Sequence, residues 1–179
     1  MILSLTDDYR RIRRLQHDDV HQLMIWDNDP GLSQLTGKKF DHRDNEEAWW
    51  SQVVRDRSRL VFAIVDDQGR LIGDVELQQI LWRAREAELR ISIGDKNSWN
   101  RGYGTEAVDE MLAAAFGLLS LDRVYLRVRV DNPRAIRAYQ KSGFRTVAHL
   151  SATGRLHGYT ALKLMEVTRE RYLPASIRA

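Results

Sequence analysis

The chain has no cysteine and only 3 prolines in 179 residues. Without cysteine there is no disulfide framework, no thiolate nucleophile and no cysteine-bound metal. No low-complexity tract, linker or internal repeat divides the chain. Residues 1–179 therefore read as one domain, long enough to bury a sizeable core, with a tail from about Arg169 that frays. No apolar run approaches the ~20 residues of a membrane span. Met1 to Asp8 lack the basic start and the full apolar stretch of a secretion signal. A cytoplasmic protein with no membrane partner is expected. A dominant charge is missing too: 28 Lys and Arg against 25 Asp and Glu leave +3, too little to argue for nucleic acid.

What the chain does have is clear punctuation. Ala87, Leu89, Ile91 and Ile93 alternate with Glu88, Arg90 and Ser92, which marks a strand with one polar face. Val108, Met111, Leu112, Ala115, Phe116 and Leu119 form one apolar stripe of a helix from about Tyr103 to Leu119. Between them lies Trp99-Asn100-Arg101-Gly102-Tyr103-Gly104-Thr105-Glu106-Ala107. Such a loop aims several backbone N–H groups and the positive helix end at one spot, which suits an anion such as a pyrophosphate. Alone, the loop is ambiguous. Gly102, Gly104 and Ala107 fit the dinucleotide pattern G-x-G-x-x-A, with Asp131 placed as a ribose ligand. The glycines also fit a plain turn that needs φ > 0. A P-loop is excluded, because no Gly-Lys-Ser/Thr follows.

The remaining elements are read more coarsely. Residues 11–15 suit a strand, and Asp18 or Asp19 caps a helix reaching about Trp26. Asn28-Asp29-Pro30-Gly31 reads as a turn, and Asn45 caps a helix to about Arg57. Leu60 to Val65 and Arg70 to Leu77 form a hairpin. Val124, Leu126, Val128 and Val130 alternate along a further strand. Phe144 to Leu150 and Tyr159 to Val167 form a closing antiparallel pair. The order is mixed α/β. The basic run from Arg10 to Arg14, and Arg123, Arg127 and Arg129 on one strand face, fit either a solvated face or contact with a phosphate.

A second segment narrows the choice. In Asp131-Asn132-Pro133-Arg134-Ala135-Ile136-Arg137-Ala138-Tyr139-Gln140-Lys141-Ser142-Gly143-Phe144, Asn132 suits a helix cap, Pro133 the first turn and Gly143 the end. Arg101-Gly102-Tyr103-Gly104 is similar to the pyrophosphate loop Q/R-x-x-G-x-G/A of the GNAT superfamily of acyl-CoA-dependent N-acetyltransferases. Asn132, Ala135, Tyr139, Gly143 and Phe144 match that family's N-x-x-A-x-x-x-Y-x-x-x-G-F. The resemblance covers about Val61 to Met165 and is nearest the branch containing ribosomal-protein alanine N-acetyltransferases. Trp99 takes a place where many members carry Gln or Arg.

The resemblance implies an α/β fold with a central twisted, mostly antiparallel sheet. That sheet is splayed at the acetyl-CoA site and flanked by about four helices. It also implies acetyl-CoA as donor and no metal. Arg101, Gly102, Tyr103, Gly104 and Thr105 would hold the pyrophosphate, and Ile91, Ser92 and Ile93 would pair the cofactor amides. Asn132 would bond the pantetheine or phosphate arm, Arg134 would reach a phosphate or else stay solvated, and Ala135 and Tyr139 would complete the cofactor site.

Acetyl transfer needs a neutral amine, a donor to the carbonyl oxygen and a proton for the departing thiolate. Glu88 is the candidate base through water, or else an ion-paired glutamate beside Arg90 or Arg85, and Glu76 on the neighbouring strand is the second candidate. Tyr139 is the candidate acid, or else a packed tyrosine. A backbone N–H of the Ile91–Ile93 strand is the oxyanion donor, with the Ser92 hydroxyl beside it. Trp26, Trp49, Trp50 and Trp82, with Glu76, are nominated for the acceptor pocket. His17 and His21, four apart on one helix, lack an evident third metal ligand. A protein N-terminal amine is the first acceptor expected, on resemblance. A small amine (polyamine, amino acid, amino sugar or aminoglycoside) is the alternative, and a non-catalytic acyl-CoA-binding module is the rival of another class. A homodimer is a further expectation.

Overall fold

The computed structural model describes residues 9–36, 38, 45–154 and 158–172. The segment on which the missing secretion signal was argued lies outside them, as does most of the tail. Seven strands form one sheet: β1 Ile12–Arg14, β2 Leu60–Val65, β3 Leu71–Leu81, β4 Glu86–Ile93, β5 Arg123–Arg129, β6 Arg145–Gly154 and β7 Gly158–Thr168. Their order is β1-β2-β3-β4-β5-β7-β6. Every pairing is antiparallel except β4 with β5.

That one parallel pairing positions the site. β4 and β5 match only at Glu86–Arg123, Ala87–Val124 and Glu88–Tyr125, then part. β3 follows β4 as far as Ile93, and β7 follows β5 as far as Arg129. Two well-paired half-sheets therefore diverge beyond Glu88 and leave backbone edges facing a gap.

Five α-helices occur among the described residues: α1 Asp19–Asp27, α2 Pro30–Thr36, α3 Glu46–Arg55, α4 Tyr103–Ala113 and α5 Pro133–Lys141. Of these, α2 stands where the sequence reads only a turn. Asn28 to Gly31 do not merely turn. Asp29 Oδ1 accepts the Leu32 N–H at 3.0 Å and Pro30 takes the first helical position, so the same residues start α2. Asn45 caps α3 through the Ala48 N–H at 2.7 Å, and Asn132 caps α5 through the Ala135 N–H at 3.2 Å.

α4 ends earlier than its apolar stripe predicts. After Ala113 the chain widens, with Leu119 N–H bonded five residues back to Ala114. The widened turn keeps Ala115 and Phe116 inside with Val108, Met111 and Leu112, against Val75, Leu77, Leu89, Leu126 and Met165. At ~1.5–3 kcal/mol per large apolar side chain, this face holds the helix and its N-terminus on the sheet.

The N-terminal basic run is not a solvated face throughout. Arg11 is 1% exposed; it pairs with Glu106 of α4 at 2.7 Å and lies 4.4 Å over the Tyr103 ring. Glu110 accepts the backbone N–H groups of Arg10, Arg11 and Ile12. These contacts tie β1 to the first turns of α4.

Candidate active site

A cavity of about 720 Å³ occupies the splay. One wall is the start of α4. Gly102, at φ +87°, turns the chain into the helix, and Tyr103, Gly104 and Thr105 follow on the cavity lining. Their N–H groups precede the first intrahelical donor, since Glu106 N–H is the one that reaches Gly102 O. The two glycines differ. A Cβ at Gly102 meets only Glu106 Oε1 at 3.6 Å, so conformation demands that glycine. Gly104 has no positive φ, and a Cβ there would make ordinary contacts at 3.8–3.9 Å with Ile93 and Ile91. Arg101 is exposed beside Tyr103 and does not line the cavity.

The second wall is the free edge of β4. Gly94 N–H bonds to Ile72 on β3. By strand alternation, the N–H groups of Ile91 and Ile93 then turn toward the splay. Ile91, Ser92 and Ile93 all line the cavity, with Ser92 buried. The third wall is α5. Asn132, Ala135 and Tyr139 line it, and Arg134, Arg137 and Lys141 set three cations at i, i+3 and i+7 along one face. The spacing of Arg137 and Lys141 was legible in the sequence, although neither residue was singled out. Unpaired N–H groups, a left-handed glycine and a row of cations form a cradle that fits a pyrophosphate.

Burial pushes the Tyr139 phenol up to about 12, so it stays protonated at ordinary pH. Its ring packs on Phe144 with centroids 5.8 Å apart.

At the far end, on the α2 side of the sheet, the cavity is lined by Leu32, Thr36, Gln78, Glu88 and Arg90. Glu88 is 3% exposed, and its partner is neither Arg90 nor Arg85. Arg127 Nε and Nη2 each donate to its carboxylate at 2.8 Å, and Gln78 Nε2 donates at 2.9 Å. Three of about four lone-pair directions are used, and one remains for water. Of the other strand arginines, Arg123 pairs with Glu86 and Glu166, and Arg129 with Asp131. All three are held by carboxylates rather than waiting for a phosphate, and Asp131 is taken up in the same way.

The nominated acceptor residues lie elsewhere. Trp26 packs its ring on Gly94, where a Cβ would approach to 2.0 Å. Trp49 lies under Arg59, Trp50 stands edge-on to His17, and exposed Trp82 donates to Arg57 O at 3.0 Å. None of the four lines the cavity. Glu76 is fully buried, paired with Arg59 at 2.6 Å and with Lys38 at 3.7 Å. Lys38 also pairs with Asp74. His17 and His21 do not share a helix: His17 lies in the turn before α1 and pairs with Glu47, while His21 on α1 pairs with Glu46, and both partners belong to α3.

Against this geometry, the acetyltransferase (GNAT) domain model matches residues 10–145. The chain belongs to the GNAT acetyltransferase family. It is an N-acetyltransferase with acetyl-CoA as its donor. The spermidine N(1)-acetyltransferase of Vibrio cholerae is 28% identical over 92% of this chain and 96% of its own. A structure of spermidine N-acetyltransferase from that organism, in complex with CoA and spermine, superposes with a TM-score of 0.80. The identity is 25%, over 90% of this chain and 96% of the other. An L-amino acid N-acetyltransferase of Escherichia coli is 31% identical over 53% of this chain and 59% of its own. Among these GNAT relatives, small amines rather than protein N-termini are the named acceptors. No described helix is long and apolar enough to cross a membrane.

Proposed function

We propose that the protein acetylates a primary amine of a small, polyamine-type molecule by direct attack in a ternary complex. The observation that carries this reading is the single cavity that joins the glycine-loop cradle to the Glu88 end through the splay. The spermidine-acetylating relatives support the small acceptor over a protein N-terminus.

In the proposed reaction the amine nitrogen bonds to the thioester carbonyl carbon and the C–S bond breaks. The Ile91 and Ile93 N–H groups, which face the splay, donate to the carbonyl oxygen. Tyr139 donates to the departing sulfur. A phenol near 12 facing a thiol near ~8.5 gives up its proton reluctantly, so its contribution is chiefly a hydrogen bond. The proton finally taken by sulfur comes from the attacking nitrogen. Glu88 accepts that nitrogen's proton through water on its remaining lone pair and relays it.

Arg90 favours a second reading. It is half-buried on the cavity wall, donates to Thr36 O at 3.1 Å, and makes no ion pair with any described residue. A guanidinium in that position suits an amine that also carries a carboxylate, such as an amino acid. One assay separates the readings. Thiol release and product mass are measured with spermidine, spermine, putrescine, an amino-acid panel and a peptide with a free N-terminus. Turnover of the polyamines supports the first reading, and turnover of amino acids alone replaces it with the second. Turnover of the peptide alone restores the N-terminal acceptor. Light scattering on the same sample tests the homodimer.

A further inference from the structure

Trp99 stands three residues before Gly102, where many GNAT members carry Gln or Arg. Its indole does not simply fill space. Nε1–H donates to Ile93 O at 2.9 Å, which fixes the ring against the free edge of β4. Above that ring, at 3.9 Å from its centroid, lies the Arg134 guanidinium. Arg134 has no hydrogen bond or ion pair to any described residue, in contrast to Arg123, Arg127 and Arg129. It is half-buried, and both Arg134 and Trp99 line the cavity beside Gly102 and Gly104.

An arginine half-withdrawn from water without a carboxylate is costly to keep unless something else needs its charge. The indole face offsets part of that cost and holds the planar group in one orientation. The rest is left for an anion. The same cavity is lined by the α4 N-terminus, whose N–H groups ahead of Glu106 have no intrahelical partner and seek an anion. Arg137 and Lys141 lie further along α5 and are exposed, with no such platform.

We propose that Trp99 is a positioning residue for the acetyl donor: its indole, pinned to Ile93, presents the Arg134 guanidinium to the pyrophosphate held at the start of α4. This rests on the acetyl-CoA reading of the cradle and adds to it a residue outside the glycine motif.

The test is calorimetric binding of CoA and of dephospho-CoA, which keeps the pyrophosphate and lacks the 3′-phosphate. The proteins are the parent, Trp99→Leu, Trp99→Phe, Arg134→Ala and the Leu/Ala double variant. Absence of CoA binding by the parent would overturn the cradle itself, and is read first. Arg134→Ala is expected to weaken both ligands about tenfold, and Trp99→Leu by a large part of that. Trp99→Phe keeps a ring but loses the tether, and falls between parent and Trp99→Leu. The double variant is expected to bind no more weakly than Arg134→Ala, because the indole acts through the guanidinium. Unliganded melting temperatures are compared alongside. The proposal is overturned if the two losses add, which makes Trp99 an independent packing residue. Unchanged CoA affinity in Arg134→Ala overturns it as well. An effect seen with CoA and absent with dephospho-CoA also overturns it, since the partner is then the 3′-phosphate.

Discussion

Arg127 grips Glu88 with both Nε and Nη2 at 2.8 Å, at the point where β4 and β5 part. Glu88 faces Tyr125 in the last matched pair, and Arg127 lies two residues further along the same strand face. The pair therefore closes the throat of the splay and leaves the cavity floor electrically neutral there.

Arg127→Met strands a buried carboxylate with Gln78 as its remaining partner. A loss of about 1–3 kcal/mol is expected, below that of a fully buried pair because the Arg127 side chain is 47% exposed. Glu88→Gln on top of Arg127→Met recovers most of it. Urea unfolding of the three variants checks this, and an Arg127→Met protein as stable as the parent would show that the pair holds nothing.

Glu88→Gln is expected to slow acetylation of a lysine-type amine more than of an α-amine. The former, near ~10.4, is almost wholly protonated at neutral pH, whereas the latter, at ~7.7–8.0, is not. Equal effects on both acceptors remove Glu88 from proton transfer.

Tyr139→Phe should lower kcat about 10- to 100-fold while the KM for acetyl-CoA changes little. Because burial holds the phenol near 12, Tyr139 gives the parent no alkaline limb in its pH–rate profile below about pH 11. An unchanged kcat assigns the ring to packing on Phe144.

Gly102→Ala forces a Cβ into a left-handed conformation and should cost about 1 kcal/mol or more in stability, with loss of CoA affinity. Gly104→Ala should keep both, since its Cβ makes ordinary contacts, whereas Gly104→Val intrudes on the cradle and abolishes binding. Melting curves with and without CoA separate the three.

Burial, with Asp74 and Glu76 nearby, lifts the Asp27 carboxyl to about 6 against the pull of Lys38 and Arg90. The folded chain then holds a proton that the unfolded chain releases near ~3.9. Stability from this group is full below ~4, falls as pH rises, and is gone above about 6. Asp27→Asn removes that fall, so its melting temperature relative to the parent should rise between pH 4 and 6.5 and then level. A constant difference across that window refutes the shift.

Much of the fold was legible in the sequence because its signals are local. Alternation in Ala87 to Ile93, the stripe from Val108 to Phe116, and the caps Asn45 and Asn132 depend on neighbours within a few residues. The glycine loop and the N-x-x-A-x-x-x-Y pattern are legible for the same reason. α2 was missed because Asp29-Pro30 starts a helix with the same residues that make a turn, and the short segment offered too little periodicity to separate the two.

The sequence by itself determined most of the elements and the glycine turn at Gly102, through backbone conformation and side-chain period. Only the tertiary structure decided which charges meet. Glu88 found Arg127 rather than Arg90 because β5 lies parallel beside β4 for three residues and then diverges. The nominated tryptophans went to Gly94, Arg59, His17 and Arg57, whereas Trp99 went to Arg134. Partner choice among like residues is a matter of register and distance across the sheet, and neither is written in the spacing of a single strand.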